Sequence, residues 1–555
     1  MWGRGSILAV VLAAVVVLTS AAVPAGASAD SPTSGDRLPA SAAPPDPPTD
    51  RLGWEGGYWY NESLSLTPDD GFNVSEVEQL TLRSMARVER IRGLEYNRTP
   101  DVTFVSRDAW EEYTSTQLSA SNITTADRLH QNTKYEALFL VGETSDYFDV
   151  REGNRGSFAA ALYFYGEPPG DRYDAGDILI ITSGEGVARL NEPTLAHELL
   201  HALQDQTFDL SAATDAYGAQ TVEGVRAQNS VIEGEARLVQ RMYEARCGGA
   251  WNCADNTETG GGSQSFADLG LVVYQLMVYR EGVSFVEAIQ SRGGWAAVND
   301  LYSDPASTFP ASTEQVIHPE AYGNDSPTTV TVADRSNEAW TIPQTSGPIN
   351  YATVGEAGIF MMFWAPGSLR DVPYSYQNPA SEGWDGDRLV PYARANASAS
   401  GETGYVWKIV WDTPADAREF ASAYRAKLQD LGAVNVSGAE DVYVIPEREN
   451  EAFGDAFALA VNGTATVIVN APSVAALNGV RAGTVPEGLQ WDGPTTTTTV
   501  STTRSTTTTE ATTQAGTTTN APTTSGDGGP GFGPVVTLLV VLGVTWLLGR
   551  DRRSS

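Results

Sequence analysis

The segment His197-Glu198-Leu199-Leu200-His201 constrains this chain more than any other stretch. On a helix, residues four apart share a face, so both imidazoles point the same way and can hold a single Zn²⁺. Glu198 follows the first His, a position from which a carboxylate takes a proton from a water that the metal has activated. The chain has only four His in 555 residues, at 130, 197, 201 and 318, so two at ligand spacing are less readily accidental than in a His-rich protein, although a bare HExxH does occur without metal. Asn191-Glu192-Pro193-Thr194 reads as a helix start, with a cap residue, an early acid and Pro in the first turn. Leu195, Leu199, Leu200 and Leu203 give that helix an apolar side that must be held against a core. The fold has to be built around it. Asp205 lies one turn past His201, placed either to orient an imidazole or to sit in a solvated last turn.

A catalytic zinc takes three protein ligands and leaves a fourth position open. His318 is more than a hundred residues beyond His201, so an acid is the natural third ligand. The stretch 230–239 reads as a second helix, with Val231, Leu238, Val239 and Met242 on its buried side. Glu233, thirty-two residues after His201, is placed early in it and is the favoured ligand, with Glu235 in reserve. A peptidase also needs a donor for the oxyanion of its tetrahedral intermediate. His318 and Tyr322, within HPEAY, are candidates, the alternative for His318 being a loop imidazole satisfied by backbone groups.

The runs HELLHALQDQTFDL (197–210) and VIEGEA (231–236) resemble metallopeptidase-like proteins of the gluzincin type, in which HExxH precedes a Glu on a later helix. STEQVIHPEAY (312–322), GWDGDR (383–388) and WDTPADAREF (411–420) are similar to motifs of the same broader group, so the resemblance spans about residues 190–430. It implies a zincin-like α+β fold with zinc on His197, His201 and Glu233, and with Glu198 as general base. Better-known members carry an Asp four residues after the ligand Glu. Here that position is Arg237, so the imidazoles must take their orienting hydrogen bonds from elsewhere.

The chain ends indicate where such chemistry happens. Residues 1–29 read as a secretory signal: a short basic start, an apolar run from Ile7 to Leu18, and Ala27-Ser28-Ala29 before Asp30. Residues 30–50 are rich in Pro, Ser and Asp and read as a linker. Residues 491–529 are dominated by Thr, as in an O-glycosylated stalk. In 530–555, Pro530-Gly531-Phe532 precedes an apolar run from Val535 to Leu548 and a basic end. That order resembles the PGF-type sorting signal of haloarchaea, which implies cleavage by an archaeosortase and replacement of the tail by a lipid. The alternative is an uncleaved transmembrane anchor with its positive residues inside. Both readings tether the protein to the outside of the membrane.

Charge agrees with a saline exterior. The net charge is −34, and only three of the 35 basic residues are Lys, at 134, 408 and 427. At molar salt the Debye length is about 3 Å, so an acidic surface tolerates its own repulsion. The same charge argues against nucleic acid as a partner. Cys247 and Cys253 flank a Gly-rich turn and predict a local disulfide in an exported chain. Sequons at Asn61, Asn73, Asn97, Asn122, Asn396, Asn435 and Asn462 fit a glycosylated surface, and Pro327 weakens another at Asn324.

Between linker and stalk the chain predicts a metallopeptidase-like domain over 51–340 and a small α+β module over 345–490. In the first, 74–93 reads as a helix, with strands at 101–106, 160–164 and 178–182 and helices at 266–280 and 283–291. In the second, a strand at 405–411, a helix at 414–431, a strand at 442–445 and a hairpin about Asn462-Gly463 precede a last helix after Pro472. GWDGDR reads as an Asp/Gly turn satisfied by its own backbone or as a cation ligand. Two functions follow: a surface-anchored zinc metallopeptidase acting on peptides or proteins, or a non-catalytic binding or envelope protein on a peptidase-like fold.

Overall fold

Helices and strands form as local signals direct, and the helix bearing His197 lies in the middle of their packing. The computed structural model describes residues 13–14, 45–489 and 491, apart from 68–70, 121–122, 159–160, 169, 183–188, 256–267, 365–374 and 399. The expected signal, almost all of it, most of the linker, the stalk, the PGF segment and Asn122 therefore lie outside the described residues. Among those described, no helix is long and apolar enough to cross a membrane.

The first part is helical around a small mixed sheet. Val102–Ser106 pairs in parallel with Ile178–Thr182, which pairs antiparallel with Ala161–Tyr163; Ala13–Ala14 adds to the far edge. Helix Val74–Arg92 opens with a capping box in which Asn73 and Glu76 satisfy each other's backbone N–H groups. Its apolar side meets the sheet and helix Glu192–Phe208 in one cluster that includes Leu80, Val88, Ile178, Leu195 and Leu199. Helix Val222–Glu244 crosses the same cluster through Ala236, Val239 and Tyr243. The stretch expected at 230–239 is thus the middle of a 23-residue helix. Helices expected at 266–280 and 283–291 are Leu269–Gln275 and Met277–Leu301, the latter kinked at Gly293 and Gly294.

The second part is a seven-stranded, wholly antiparallel sheet. Across it run Val434–Asn435, Val442–Val444, Ala456–Asn462, Ala465–Ala471, Thr403–Trp411, Trp384–Arg394 and Trp340–Thr341. The hairpin expected about Asn462-Gly463 turns there, with Gly463 in the left-handed region that favours glycine. Helices Pro414–Asp430 and Val474–Val480 pack on these strands. GWDGDR is a correction: it enters the 11-residue strand Trp384–Arg394 rather than a free turn. Asp387 is buried and accepts from the indoles of Trp384 and Trp407 and from the N–H groups of Val354 and Gly355, where helix Gly355–Trp364 begins. One hydrophobic core joins the two parts, running from Val231, Tyr274 and Phe285 to Trp407, Ile409 and Ile468.

Candidate metal centre

Asn191 caps the helix Glu192–Phe208 by accepting from the Thr194 N–H, with Pro193 in the first turn, as its sequence predicts. Its first residue is pinned more strongly than a cap requires. Glu192 is fully buried and takes hydrogen bonds from Arg83, Arg87, Tyr243 and the Ala254 N–H. Ala254 follows the disulfide that joins Cys247 to Cys253, and Trp251 inside that loop packs edge-on against Tyr243. The expected disulfide therefore fastens the loop that holds the start of the HExxH helix.

Two turns into the helix, His197 and His201 face Glu233 of helix Val222–Glu244. The Nε2 atoms of the two imidazoles are 3.2 Å apart, and Oε2 of Glu233 lies 3.2 Å from one and 3.3 Å from the other. All three side chains are between 0 and 3 % exposed. Each imidazole is held from behind by an amide. Nδ1–H of His201 donates to Gln204 Oε1 at 2.8 Å, and Nδ1–H of His197 to Gln240 Oε1 at 3.2 Å. The Gln204 amide is itself fixed, because its Nε2 donates to the Ile232 carbonyl and to Glu235 Oε2. Tyr279, on helix Met277–Leu301, donates its hydroxyl to Glu233 Oε1 at 3.0 Å.

Glu235 is thereby assigned. It points away from the triad, pairs with the buried Arg92, and accepts from Tyr302 and Gln204. Asp205 does not orient an imidazole either; it accepts from the Tyr163 hydroxyl and the Leu210 N–H. Arg237 reaches out to Glu244. The orienting partners that the sequence left open are Gln204 and Gln240, and no motif marks them. A glutamine three residues past the second His is the one signal that points to Gln204.

Electrostatics divide the cluster. Burial opposes charge on Glu233, but His201 and His197 beside it hold its carboxyl down at about 2. Burial likewise opposes a charged His201, and Glu233 outweighs it, lifting the imidazole to about 9. His197 is held below its ordinary value by burial and by its neighbour His201. Glu198 is buried on the same helix and neither carboxylate oxygen has a hydrogen-bond partner. Burial pushes its pKa up to about 8, with His201 opposing and Glu233 adding to the rise.

The donor set fits zinc. Two imidazole nitrogens and one carboxylate oxygen are its usual catalytic ligands, and a tetrahedral ion with bonds of about 2.0–2.1 Å sets neighbouring donors about 3.3 Å apart. His318 and Tyr322 are elsewhere engaged. His318 Nε2 pairs with Glu356 at 3.1 Å, and Tyr322 donates to the Thr308 carbonyl while packing edge-on against Phe285. Among the described residues neither hydrogen-bonds a triad member. Of the sequons, Asn73, Asn97, Asn396, Asn435 and Asn462 are exposed and Asn61 is half-buried; Asn73 also serves as a helix cap, and the Asn97 amide donates to the Gln206 carbonyl.

Residues 343–481 match a family model described as a domain of unknown function, DUF8575. This stretch holds most of the seven-stranded sheet and none of the metal-centre residues. No curated protein and no solved structure matches the chain.

Proposed function

We propose that this chain is an exported, surface-anchored zinc metallopeptidase with a zincin-like core, hydrolysing peptide bonds in peptides or proteins. The observation that carries the reading is the donor triangle of His197, His201 and Glu233, with edges of 3.2, 3.2 and 3.3 Å, beside a carboxylate with no partner of its own. Zinc held there supplies a Lewis acid for the scissile carbonyl and for an attacking water. The protein's own part is positional. Gln204 and Gln240 keep the proton of each imidazole on Nδ1, so Nε2 presents its lone pair to the site. Tyr279 holds one oxygen of Glu233, leaving the other for the metal. Glu198 accepts the proton of the attacking water and passes it to the leaving amine. The surrounding burial strengthens each of these interactions by excluding bulk water. Signals at the chain ends support a haloarchaeal cell exterior, with an archaeosortase exchanging the tail for lipid. Peptides from 535–555 in mass spectra of the membrane-bound form would instead leave a transmembrane anchor.

A second reading, a metal-holding but non-catalytic surface protein, is favoured by the burial of the triad, since structural zinc sites are closed. Glu198→Gln separates the two. The purified variant is expected to keep about one zinc per chain while hydrolysis of a diverse peptide library at molar salt falls by about 10² to 10⁴ or more. A wild-type protein that binds zinc and cleaves no peptide supports the second reading. One that binds no zinc overturns both.

A further inference from the structure

A second buried cluster lies where the first part of the chain meets the sheet. Glu136 stands in the last turn of helix Thr125–Ala137, Glu143 in the loop beyond it, and Asp455 just before strand Ala456–Asn462. One carboxylate oxygen from each lies within 4.8 Å of the other two. The segments meet at backbone distance: the Glu143 N–H donates to the Ala452 carbonyl at 2.9 Å, and a Cβ on Gly142 would stand 2.5 Å from that of Ala452. Glu136 and Asp455 are buried and Glu143 is half-buried.

Among the described residues no ion pair compensates these charges. The charges acting on the three are one another and Glu447, all negative. Burial and then repulsion from Asp455 raise Glu143 to about 8 and hold Glu136 well above the usual carboxylate range, while burial lifts Asp455 to about 6 against hydrogen bonds from Asn470, Glu136 and Glu143 that lower it. Protons or a cation must therefore balance the cluster near neutral pH. A fourth side chain adds to the unmet oxygens. Asn470 of strand Ala465–Ala471 is 1 % exposed and reaches in to donate Nδ2 to Asp455 at 2.7 Å. Its amide oxygen has no partner, and neither has Oε2 of Glu136 or Oδ1 of Asp455. A proton bridges two oxygens, whereas one hard cation takes several at once and so meets more of these buried acceptors. A half-turn of the amide would bring the Asn470 oxygen among the ligands.

We propose that Glu136, Glu143, Asp455 and Asn470 form a calcium site that fastens helix Thr125–Ala137 and its following loop to the C-terminal sheet. All donors are oxygens, which suits calcium or magnesium and not zinc. Two oxygens bound to one calcium at 2.3–2.6 Å are at most about 5.2 Å apart, a limit that the cluster meets. Magnesium keeps several waters, for which a pocket closed by Glu136, Asp455 and Asn470 leaves little room. Half-buried Glu143 is the side open to entry. The site is independent of the zinc centre and of any hydrolytic activity.

The test is calcium titration of the purified protein, stripped with chelator and reloaded with one equivalent of zinc, in molar NaCl. Calorimetry is expected to find one calcium per chain. The melting temperature is expected to rise by about 3 °C at a hundredfold excess over Kd, if some 450 residues unfold together. Asp455→Asn should lose the calcium response while melting no lower than the calcium-free wild type, since it removes one of three repelling acids. Glu143→Gln, at the half-buried side, should weaken binding at least tenfold and gives a second reading should Asp455→Asn fail to fold. No calcium uptake by the wild type overturns the proposal, and so does full calcium binding by either variant. An equal response to magnesium overturns the assignment to calcium.

Discussion

Gly234 sits between Glu233, the proposed zinc ligand, and the buried Glu235, and its substitution by alanine tests the architecture of the centre. A Cβ at this position would stand 2.3 Å from the Gly282 carbonyl oxygen and 2.4 Å from its carbon, on helix Met277–Leu301. Gly282 in turn faces the Ser230 carbonyl, which a Cβ would approach to 2.4 Å. Backbone meets backbone on both sides, so no side chain can swing away, and relief requires the helices to part by about 1 Å. Overpacking of this kind costs about 1–3 kcal/mol, here at the upper end because the obstacle is rigid. Alanine in a helix interior returns about 1 kcal/mol over glycine. The expected net loss is about 2 kcal/mol, or roughly 2 °C in melting temperature if some 450 residues unfold together. The same displacement carries Tyr279 away from Glu233, stretching a 3.0 Å hydrogen bond beyond useful length. Zinc affinity should then fall about tenfold or more. Differential scanning calorimetry and competition with a zinc-binding dye measure both. The sign is what matters: a loose crossing would let Gly234→Ala raise the melting temperature by about 1 °C and leave zinc binding alone. That result would refute the close approach and the geometry derived from it.

Gln204→Leu keeps the volume of the side chain but removes the acceptor from His201 and the donor to Glu235, so zinc Kd should rise about 10- to 100-fold, read by the same dye competition. Arg92→Met leaves Glu235 charged and unpaired in the core and should cost about 3–5 kcal/mol in urea unfolding; adding Glu235→Met should recover much of the loss, and a double variant as unstable as the single would refute this. His130 is held at about 4, below its ordinary 6.5, by burial and by the Lys134 ammonium. The fold thus favours the neutral ring, and the stability that depends on it is complete above pH 6.5 and lost as pH falls toward 4. His130→Asn should flatten the fall of the urea midpoint across that window, and parallel curves would count against it. With a net charge of −34, the melting temperature should climb as NaCl goes from 0.1 to 2 M and the Debye length shrinks from about 10 Å to about 2 Å; a fall would show that self-repulsion is not the governing force.

What the sequence determined by itself is local. Asn191 and Pro193 start the HExxH helix because a cap and a fixed φ act within one turn. The apolar run at Ile178–Thr182 is a buried strand, and the hairpin turns at Asn462-Gly463, for reasons confined to a few neighbouring residues. The spacing of Cys247 and Cys253, in a chain with no other Cys and no His nearby, implied their disulfide. Other features needed the tertiary structure. Glu233 and Glu235 are two residues apart, hence about 200° apart around a helix, and only one can face the imidazoles. Periodicity shows that the two acids diverge but not which side meets the HExxH helix. That side is set where Gly234 and Gly282 let two helices touch, a contact across 48 positions in the chain. Asp205, which the sequence placed either to orient an imidazole or to sit in a solvated last turn, is instead engaged by Tyr163, and Gln204 takes the orienting role because its amide has Glu235 and the Ile232 carbonyl to lean on. GWDGDR carries turn composition yet runs as a strand, because two indoles and two backbone N–H groups converge on Asp387 from other segments. Glu136 and Asp455 meet across more than three hundred residues. Hydrogen bonds and charges act over a few ångströms of space regardless of separation along the chain, so partners of this kind leave no period or spacing in the sequence to be read.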